Sequence, residues 1–121
     1  MKCVLDSNIL IGMSLNDKEI FDFLEKNKKL EICISVITLT EVLWYKSITK
    51  QEADHLELLL QTIEIIAVDE SIARLAVKYR QEYKLKTIDG LIVATAESIK
   101  AKLLTRDKDI LKVGLKFVQS L

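Results

Sequence analysis

The feature that most constrains the fold is the alternation of short, uniformly apolar runs with segments of helical periodicity. Five runs, rich in Val, Ile and Leu, are expected to be strands: Lys2–Leu5, Glu31–Ser35, Glu64–Val68, Leu103–Thr105 and Leu115–Val118. Strands without polar alternation are typical of parallel sheets that are buried on both faces. The helical segments between them are long enough for the crossovers that parallel pairing requires. The sequence therefore predicts an α/β fold with a central parallel sheet of about five strands covered on both faces.

The helical segments begin with recognisable capping signals. Asn16 with Glu19, and Thr49 with Glu52, have the spacing of a capping box ahead of apolar positions at helical intervals. The later segment 88–100 is apolar on most sides and is expected to be the most buried helix. Two or more helical segments separate the second strand from the third, which a simple strand–helix repeat does not require.

Composition limits the class of protein. The 121 residues, half of them hydrophobic, predict one domain spanning residues 1–121 with a core that needs no disulfide or structural metal. Lys and Arg total 18, as do Asp and Glu, so the chain lacks the basic charge of a simple nucleic-acid binder. Cys3 and Cys33 lie in apolar runs and are expected to be buried thiols. With neither a signal peptide nor a membrane-spanning run, a cytoplasmic protein without membrane contact is expected.

Four acidic residues stand beside the ends of these elements. Asp6 ends the first strand and Asp107 follows the fourth, while Glu41 and Asp89 are expected in the first turns of helices. In a parallel sheet, the carboxyl ends of strands and the helices that follow share one edge, where ligands usually bind. Carboxylates gathered there repel one another and lose hydration. A divalent cation that prefers oxygen ligands, Mg²⁺ or Mn²⁺, relieves both effects.

Each acid also fits a purely structural role. Asp6 and Asp107 suit the capping of a turn or helix. Glu41 stands three residues after Thr38, the spacing of a capping box, and Asp89 suits the positive end of a helix dipole. These are the commonest roles of such residues, but they do not require the four acids to meet at one edge. Their shared placement favours a metal site.

The segments around these acids resemble those of a known family. VLDSNILI, SVITLTEVLW, KTIDGLIVATA and LLTRDKDI, in this order and spacing, resemble the four signature segments of PIN-domain ribonucleases. The small size is similar to that of the VapC toxins of bacterial and archaeal toxin–antitoxin pairs. The resemblance extends from Met1 to about Val118. It implies a three-layer α/β/α PIN-like fold and a divalent-metal-dependent endoribonuclease whose products carry 5′-phosphate and 3′-hydroxyl ends.

The resemblance also implies roles for individual residues. The implied catalytic and metal-binding positions are Asp6, Glu41, Asp89 and Asp107. The implied supporting positions are Ser7, Asn8, Thr105 and Asp109. Between the two acids of the last motif, Asp107 is favoured over Asp109 because it lies nearer the strand end. Arg106 and Lys86 are candidate contacts to RNA phosphates, although such residues are more often solvated surface charges.

The partners that the resemblance implies are an RNA substrate, a cognate antitoxin protein and a second copy of the chain in a homodimer. Two alternatives remain open within the family: a PIN-like module that binds RNA or protein without cleaving, and a housekeeping RNA-processing nuclease. A receiver-type phosphoacceptor is disfavoured because Ser7 and Asn8 replace the acidic pair expected after the first strand. A phosphatase of the haloacid dehalogenase type would need Asp at position 8.

Overall fold

The computed structural model describes residues 1–45 and 48–121. The strands in these residues are β1 (Lys2–Leu5), β2 (Glu31–Ser35), β3 (Glu64–Ile66), β4 (Lys102–Thr105) and β5 (Val118–Ser120). The helices are α1 (Ser7–Ser14), α2 (Lys18–Lys26), α3 (Val36–Trp44), α4 (Lys50–Leu60), α5 (Glu70–Tyr83), α6 (Thr87–Ser98) and α7 (Lys108–Leu111). Within the described ranges, every helix is too short or too polar to cross a bilayer.

The strands form one parallel sheet in the order β3-β2-β1-β4-β5. β1 is central: Val4 pairs with Cys33 of β2, and Leu5 pairs with Leu104 of β4. Along the chain, the two helices α3 and α4 separate β2 from β3, as the sequence indicated. The predicted fold class, a parallel α/β sheet of five strands covered by helices, is confirmed.

The sheet separates two hydrophobic clusters. Successive residues of a strand point to opposite faces, so Val4 packs in one cluster while Cys3 and Leu5 pack in the other. Because both faces are buried, the strands carry no polar alternation. Cys33 lies in the cluster of Val4, on the face opposite Cys3, and both cysteines are buried free thiols. The expectation of two buried thiols is confirmed.

The last strand begins three residues later than the sequence predicted. The predicted run Leu115–Val118 begins in a turn, where the amide of Val118 donates to the carbonyl of Leu115 at 3.1 Å. Gly114 before it has a φ of 76°, a conformation that glycine adopts without strain. Leu115 and Phe117 pack against the core from this turn. Their burial made them resemble strand residues, but burial alone does not define a strand.

Helix starts were predicted with mixed success. The capping box of Thr49 and Glu52 at the start of α4 is present. At the start of α2, however, the expected cap Asn16 is wrong, since its φ is 59° and the side chain of Asp17 accepts the helix amides instead. The helix α6 is largely buried and packs closely on α5, where a Cβ at Gly90 would lie 3.3 Å from a backbone oxygen.

Candidate active site

The adjacent strands β1 and β4 bring two of the four predicted acids together. Asp6 follows β1 and Asp107 follows β4 by two residues, and the strands run in the same direction. The amide of Asp6 donates to the carbonyl of Leu104 at 3.0 Å, so the pairing continues to the ends of both strands. Both carboxylates are therefore carried to the same edge of the sheet.

Asp6 is a buried carboxylate held through both of its oxygens. Its Oδ1 accepts the amide of Ser7 at 2.8 Å, and its Oδ2 accepts the hydroxyl of Thr105 at 2.7 Å. Burial raises the pKa of Asp6, the bonds from Thr105 and Ser7 oppose this shift, and the charge of Asp107 adds to it. The orientation of this carboxylate is thus fixed from the neighbouring strand.

Asp107 is both a helix cap and a member of the acidic group. Its Oδ1 accepts the amides of Asp109 and Ile110, which starts α7. The predicted capping role is therefore present, but it uses only one of the two carboxylate oxygens. The charge of Asp107 also raises the pKa values of Asp6, Glu41 and Asp89. A capping role and a site role coexist in one residue.

Asp109, the other acid of the last motif, is placed differently. It is exposed, and its Oδ1 lies 3.4 Å from the ammonium group of Lys112. Its charge is the smallest of the influences on Asp89. Asp109 therefore acts on Asp89 more weakly than Asp107 does.

Glu41 approaches the site from α3. Its Oε1 is buried without a hydrogen-bond partner among the described residues. Burial raises its pKa, and the charges of Asp6, Asp89 and Asp107 raise it further, while a hydrogen bond with the Ser7 side chain opposes them. A buried oxygen with no partner is costly for a fold that keeps it.

The predicted position of Glu41 in its helix and its predicted capping role are both wrong. It lies in the second turn of α3, not the first, and it takes no part in a capping box with Thr38. Ser35 starts this helix instead, because its Oγ accepts the amide of Ile37 at 3.1 Å. The hydroxyl of Thr38 is buried on the same helix and, within the described residues, also lacks a partner. No sequence pattern predicted this unpaired hydroxyl.

Asp89 lies in the first turn of α6, as predicted. Burial and the charges of Asp107 and Asp6 raise its pKa to about 6, against the lowering effect of Lys86. A carboxyl group with this pKa exchanges its proton close to neutral pH. Strongly shifted acids of this kind are concentrated at functional sites.

These four acids come from four separate elements but act on one another electrostatically. The formal charge of the chain is zero, so the concentration of negative charge is local. The structure therefore brings Asp6, Glu41, Asp89 and Asp107 together. Their convergence is the geometric condition that a shared site requires.

The donor set suits a hard divalent cation such as Mg²⁺ or Mn²⁺, since all four side chains offer carboxylate oxygens. The orphaned Oε1 of Glu41 is an oxygen available to a ligand. Across residues 1–45 and 48–121, however, no three acid, His or Cys side chains enclose a point at metal-ligand geometry. Mg²⁺ usually keeps several waters and takes one or two protein carboxylates. The residues thus fit a hydrated ion, not a closed protein cage.

The predicted supporting residues brace the two strand ends. Thr105 donates to Asp6 and accepts the amide of Asp107 at 2.9 Å, so one hydroxyl links both acids. Asn8 accepts the amide of Arg106 at 3.2 Å through its Oδ1. These bonds fix the short segment that carries Asp107 against the start of α1.

The two residues predicted to contact RNA phosphates, Lys86 and Arg106, differ in their surroundings. Lys86 is exposed and close enough to Asp89 to lower its pKa. Arg106 forms a bidentate ion pair with Asp17, in which Nη1 and Nη2 lie 2.7 and 3.2 Å from the carboxylate oxygens. No sequence pattern predicted this ion pair. Contact with RNA remains a prediction for both residues.

Comparison with known proteins supports the resemblance read from the motifs. The family model of the PIN domain matches residues 3–116. A chain in a toxin–antitoxin complex from Klebsiella pneumoniae is 35% identical, with a TM-score of 0.81 and coverage of 97% of this chain and 95% of that one. A search of curated protein sequences gives no significant match.

More distant structures share the fold. VapBC2 from Rickettsia felis, bound to a DNA fragment from their promoter, contains a chain that is 22% identical, with a TM-score of 0.83 and coverage of 100% and 99%. VapBC-1 from nontypeable Haemophilus influenzae is also 22% identical, with a TM-score of 0.76 and coverage of 100% and 97%. The likeness therefore spans the length of this chain and of its relatives, and the predicted family resemblance is confirmed.

Proposed function

This chain belongs to the PIN-domain family, whose members are nucleases, and we propose that it is a divalent-metal-dependent endoribonuclease acting as the toxin of a toxin–antitoxin pair. The observation that carries the proposal is the convergence of four carboxylates from separate elements, three of them with raised pKa values. A structural role would leave these acids dispersed or paired with cations. Here the charges of neighbouring acids raise the pKa values of Asp6, Glu41 and Asp89, which favours the uptake of a cation.

The proposed chemistry divides between the ion and the chain. A bound Mg²⁺ or Mn²⁺ would polarise a phosphodiester and lower the pKa of a bound water, which makes that water a better nucleophile. Asp6, Asp89 and Asp107 would hold the ion, with Glu41 directly or through water. The buried Oε1 of Glu41 has no other partner among the described residues, which supports its assignment to this group.

The supporting residues would keep these ligands oriented without contacting the substrate. Thr105 holds Asp6 Oδ2 on one side and the amide of Asp107 on the other. The amide of Ser7 holds Asp6 Oδ1. Fixing both oxygens of Asp6 leaves less reorganisation to occur during the reaction, which is how second-layer hydrogen bonds support metal ligands.

The proposed partners follow from the relatives. The chain 35% identical to this one was solved as part of a toxin–antitoxin complex. We therefore expect a cognate antitoxin to bind this chain and inhibit it, RNA to be its substrate, and a homodimer to form. Purification of the chain together with the product of the adjacent gene, followed by a cleavage assay with and without that product, tests the antitoxin.

The central test is cleavage of total RNA by the purified protein, with Mn²⁺ and with excess EDTA. We expect cleavage only with the metal, and 5′-phosphate ends on the products. The matched control is Asp109→Asn, which changes an exposed acid of the same motif and should retain activity. Undiminished cleavage in EDTA would refute the proposed chemistry. An absence of both cleavage and Mn²⁺ binding would favour the binding module instead.

A further inference from the structure

An ion pair beside the acidic group links the start of α2 to the loop that carries Asp107. Arg106 Nη1 donates to Asp17 Oδ2 at 2.7 Å, and Nη2 donates to Oδ1 at 3.2 Å, across 89 positions of sequence. The two side chains are 31% and 28% exposed, the least of any ion pair in the described part of the chain. A bidentate, partly buried ion pair fixes the relative position of its two side chains better than an exposed pair with a single contact does.

The backbone on either side of Arg106 is held as well. The amide of Arg106 donates to Asn8 Oδ1 at 3.2 Å. The next amide, that of Asp107, donates to Thr105 Oγ1 at 2.9 Å, and this hydroxyl in turn donates to Asp6. The segment 105–107 is thus tied to the end of β1, to α1 and to α2. The tie to α2 is the ion pair between the side chain of Arg106 and Asp17, the residue that caps this helix.

Gly12, near the end of α1, leaves room for the first turn of α2 beside this ion pair. A Cβ at Gly12 would collide with Ile20 Cδ1 and would lie 3.7 Å from Arg106 Nη1. The carbonyl of Gly12 accepts the amide of Asp17 at 2.9 Å. The absence of a side chain at position 12 therefore leaves space for Ile20, in the first turn of the helix that Asp17 caps.

We propose that Asp17 is a positioning residue of the active site. Through its two bonds to Arg106, it fixes the loop so that Asp107 stays beside Asp6 and Asp89. The consequence for cleavage depends on the proposed nuclease function, whereas the consequence for loop order does not. In this arrangement, the guanidinium group of Arg106 serves the fold of the loop and not the binding of an RNA phosphate.

The ion pair can be broken without removing the helix cap. Asp17 Oδ1 also accepts the amides of Glu19 and Ile20, and asparagine caps helices as well as aspartate does. The variant Asp17→Asn therefore removes the charge and keeps the cap. Its matched control is Glu25→Gln, which removes one negative charge from an exposed pair with Lys28 at the other end of α2.

The kinetic test compares Asp17→Asn, Arg106→Lys and the double variant. We expect each single variant to lower kcat about tenfold with KM for RNA unchanged, because a small displacement of a reacting group has large effects. The double variant should lose no more than either single variant, since both break one link. If Arg106 instead bound RNA, Arg106→Lys would raise KM while Asp17→Asn left kcat intact, and that result would overturn the proposal.

A second measurement needs no nuclease activity. Amide hydrogen exchange at Asp107 and Ile110 should be faster in Asp17→Asn than in the unmodified protein, and unchanged in Glu25→Gln. Equal exchange in both variants, with equal kcat, would overturn the proposal. An unmodified protein that cleaves no RNA, but in which Asp17→Asn still speeds exchange, would refute the proposed function while supporting the link between Asp17 and the loop.

Discussion

The starts of helices α5 and α6 each carry an aspartate, yet the two residues have opposite electrostatic properties. At α5, Asp69 accepts the amide of Ile72 and the hydroxyl of Ser71, both at 2.9 Å, and these bonds lower its pKa. At α6, burial and the charges of two other acids raise the pKa of Asp89 to about 6. The residue type is the same, but Asp69 is the N-cap of α5, whereas Asp89 lies inside the first turn of α6. The pKa of Asp69 is set by hydrogen bonds within its own helix start, whereas that of Asp89 is set by burial and by charges from other elements.

The hydroxyl groups that donate to aspartates also differ between the start of α5 and the acidic site. Ser71 donates to Asp69 from two residues away on an exposed surface. Thr105 is buried and donates to Asp6 from 99 residues away. The first bond belongs to a local cap that the sequence predicts. The second bond joins β4 to the end of β1 and forms only in the folded chain. Mutation of one hydroxyl group at a time can therefore distinguish the two regions.

The largest expected difference between the two regions is in catalysis. Asp89→Asn should reduce the rate of metal-dependent RNA cleavage by at least about 100-fold, because the site loses a charged ligand worth several kcal/mol. Asp69→Asn, the same change at the other helix start, should leave the rate within about twofold of the unmodified protein. Full activity in Asp89→Asn, or an equal loss in both variants, would contradict the assignment of the site.

The next largest difference is in stability after removal of a hydroxyl. Thr105→Val should lower the free energy of unfolding by about 1–3 kcal/mol, because the partly buried amide of Asp107 and the buried oxygen of Asp6 both lose a partner. Ser71→Ala should change it by less than about 0.5 kcal/mol, since water can replace the exposed bond. Urea unfolding followed by circular dichroism measures both. Similar losses would mean that the two hydroxyl groups are equivalent.

A divalent metal should distinguish the same two helix starts. At Mn²⁺ concentrations of about ten times its Kd, binding should raise the free energy of unfolding by about 1.4 kcal/mol. The increase should persist in Asp69→Asn and fall markedly in Asp89→Asn. Thermal unfolding with and without Mn²⁺ gives the comparison. An increase of the same size in both variants would place the ion elsewhere.

The smallest expected effect is the dependence of stability on pH. The pKa of Asp89 is raised in the folded state, from 3.8 to about 6, so the folded state holds this proton more tightly. Its contribution therefore favours folding below pH 4 and is lost as pH rises through 6. Asp89→Asn should stabilise the protein at pH 7 by on the order of 1 kcal/mol, allowing for screening of a partly exposed group.

Asp69 should show the opposite sign. Its pKa is lowered from 3.8, so its contribution to stability is present above pH 4 and is lost as pH falls through the lowered pKa. Asp69→Asn should therefore give no stabilisation at neutral pH. Unfolding curves between pH 3 and pH 8 measure both variants, and identical pH profiles would show that the two aspartates have the same environment.

Much of the fold was predictable because its signals are local. The first two predicted strands match β1 and β2 to the residue, and the capping box of α4 is present. Uniform apolar runs indicate strands buried on both faces, and capping residues indicate helix starts. The fifth strand was misplaced because apolar residues in a packed turn give the same signal as a strand.

The candidate site was predictable only in outline. The motifs named the acids, and the sheet edge explained why Asp6 and Asp107 should meet. The local setting of Glu41 was wrong, because Ser35 supplies the cap that the spacing of Thr38 had suggested. The pair between Asp17 and Arg106 had no signal at all, since nothing in a sequence relates two oppositely charged residues 89 positions apart.

The sequence by itself determined the class of fold, the family and the identity of the acids, because periodicity, caps and short motifs depend on neighbours along the chain. Only the tertiary structure decided which acids have raised pKa values, that Glu41 Oε1 lacks a hydrogen-bond partner among the described residues, and that Arg106 pairs with Asp17. Those properties depend on burial and on charges contributed by distant segments. For this protein, the chain specifies where its aspartates lie, and the folded packing gives each one its chemistry.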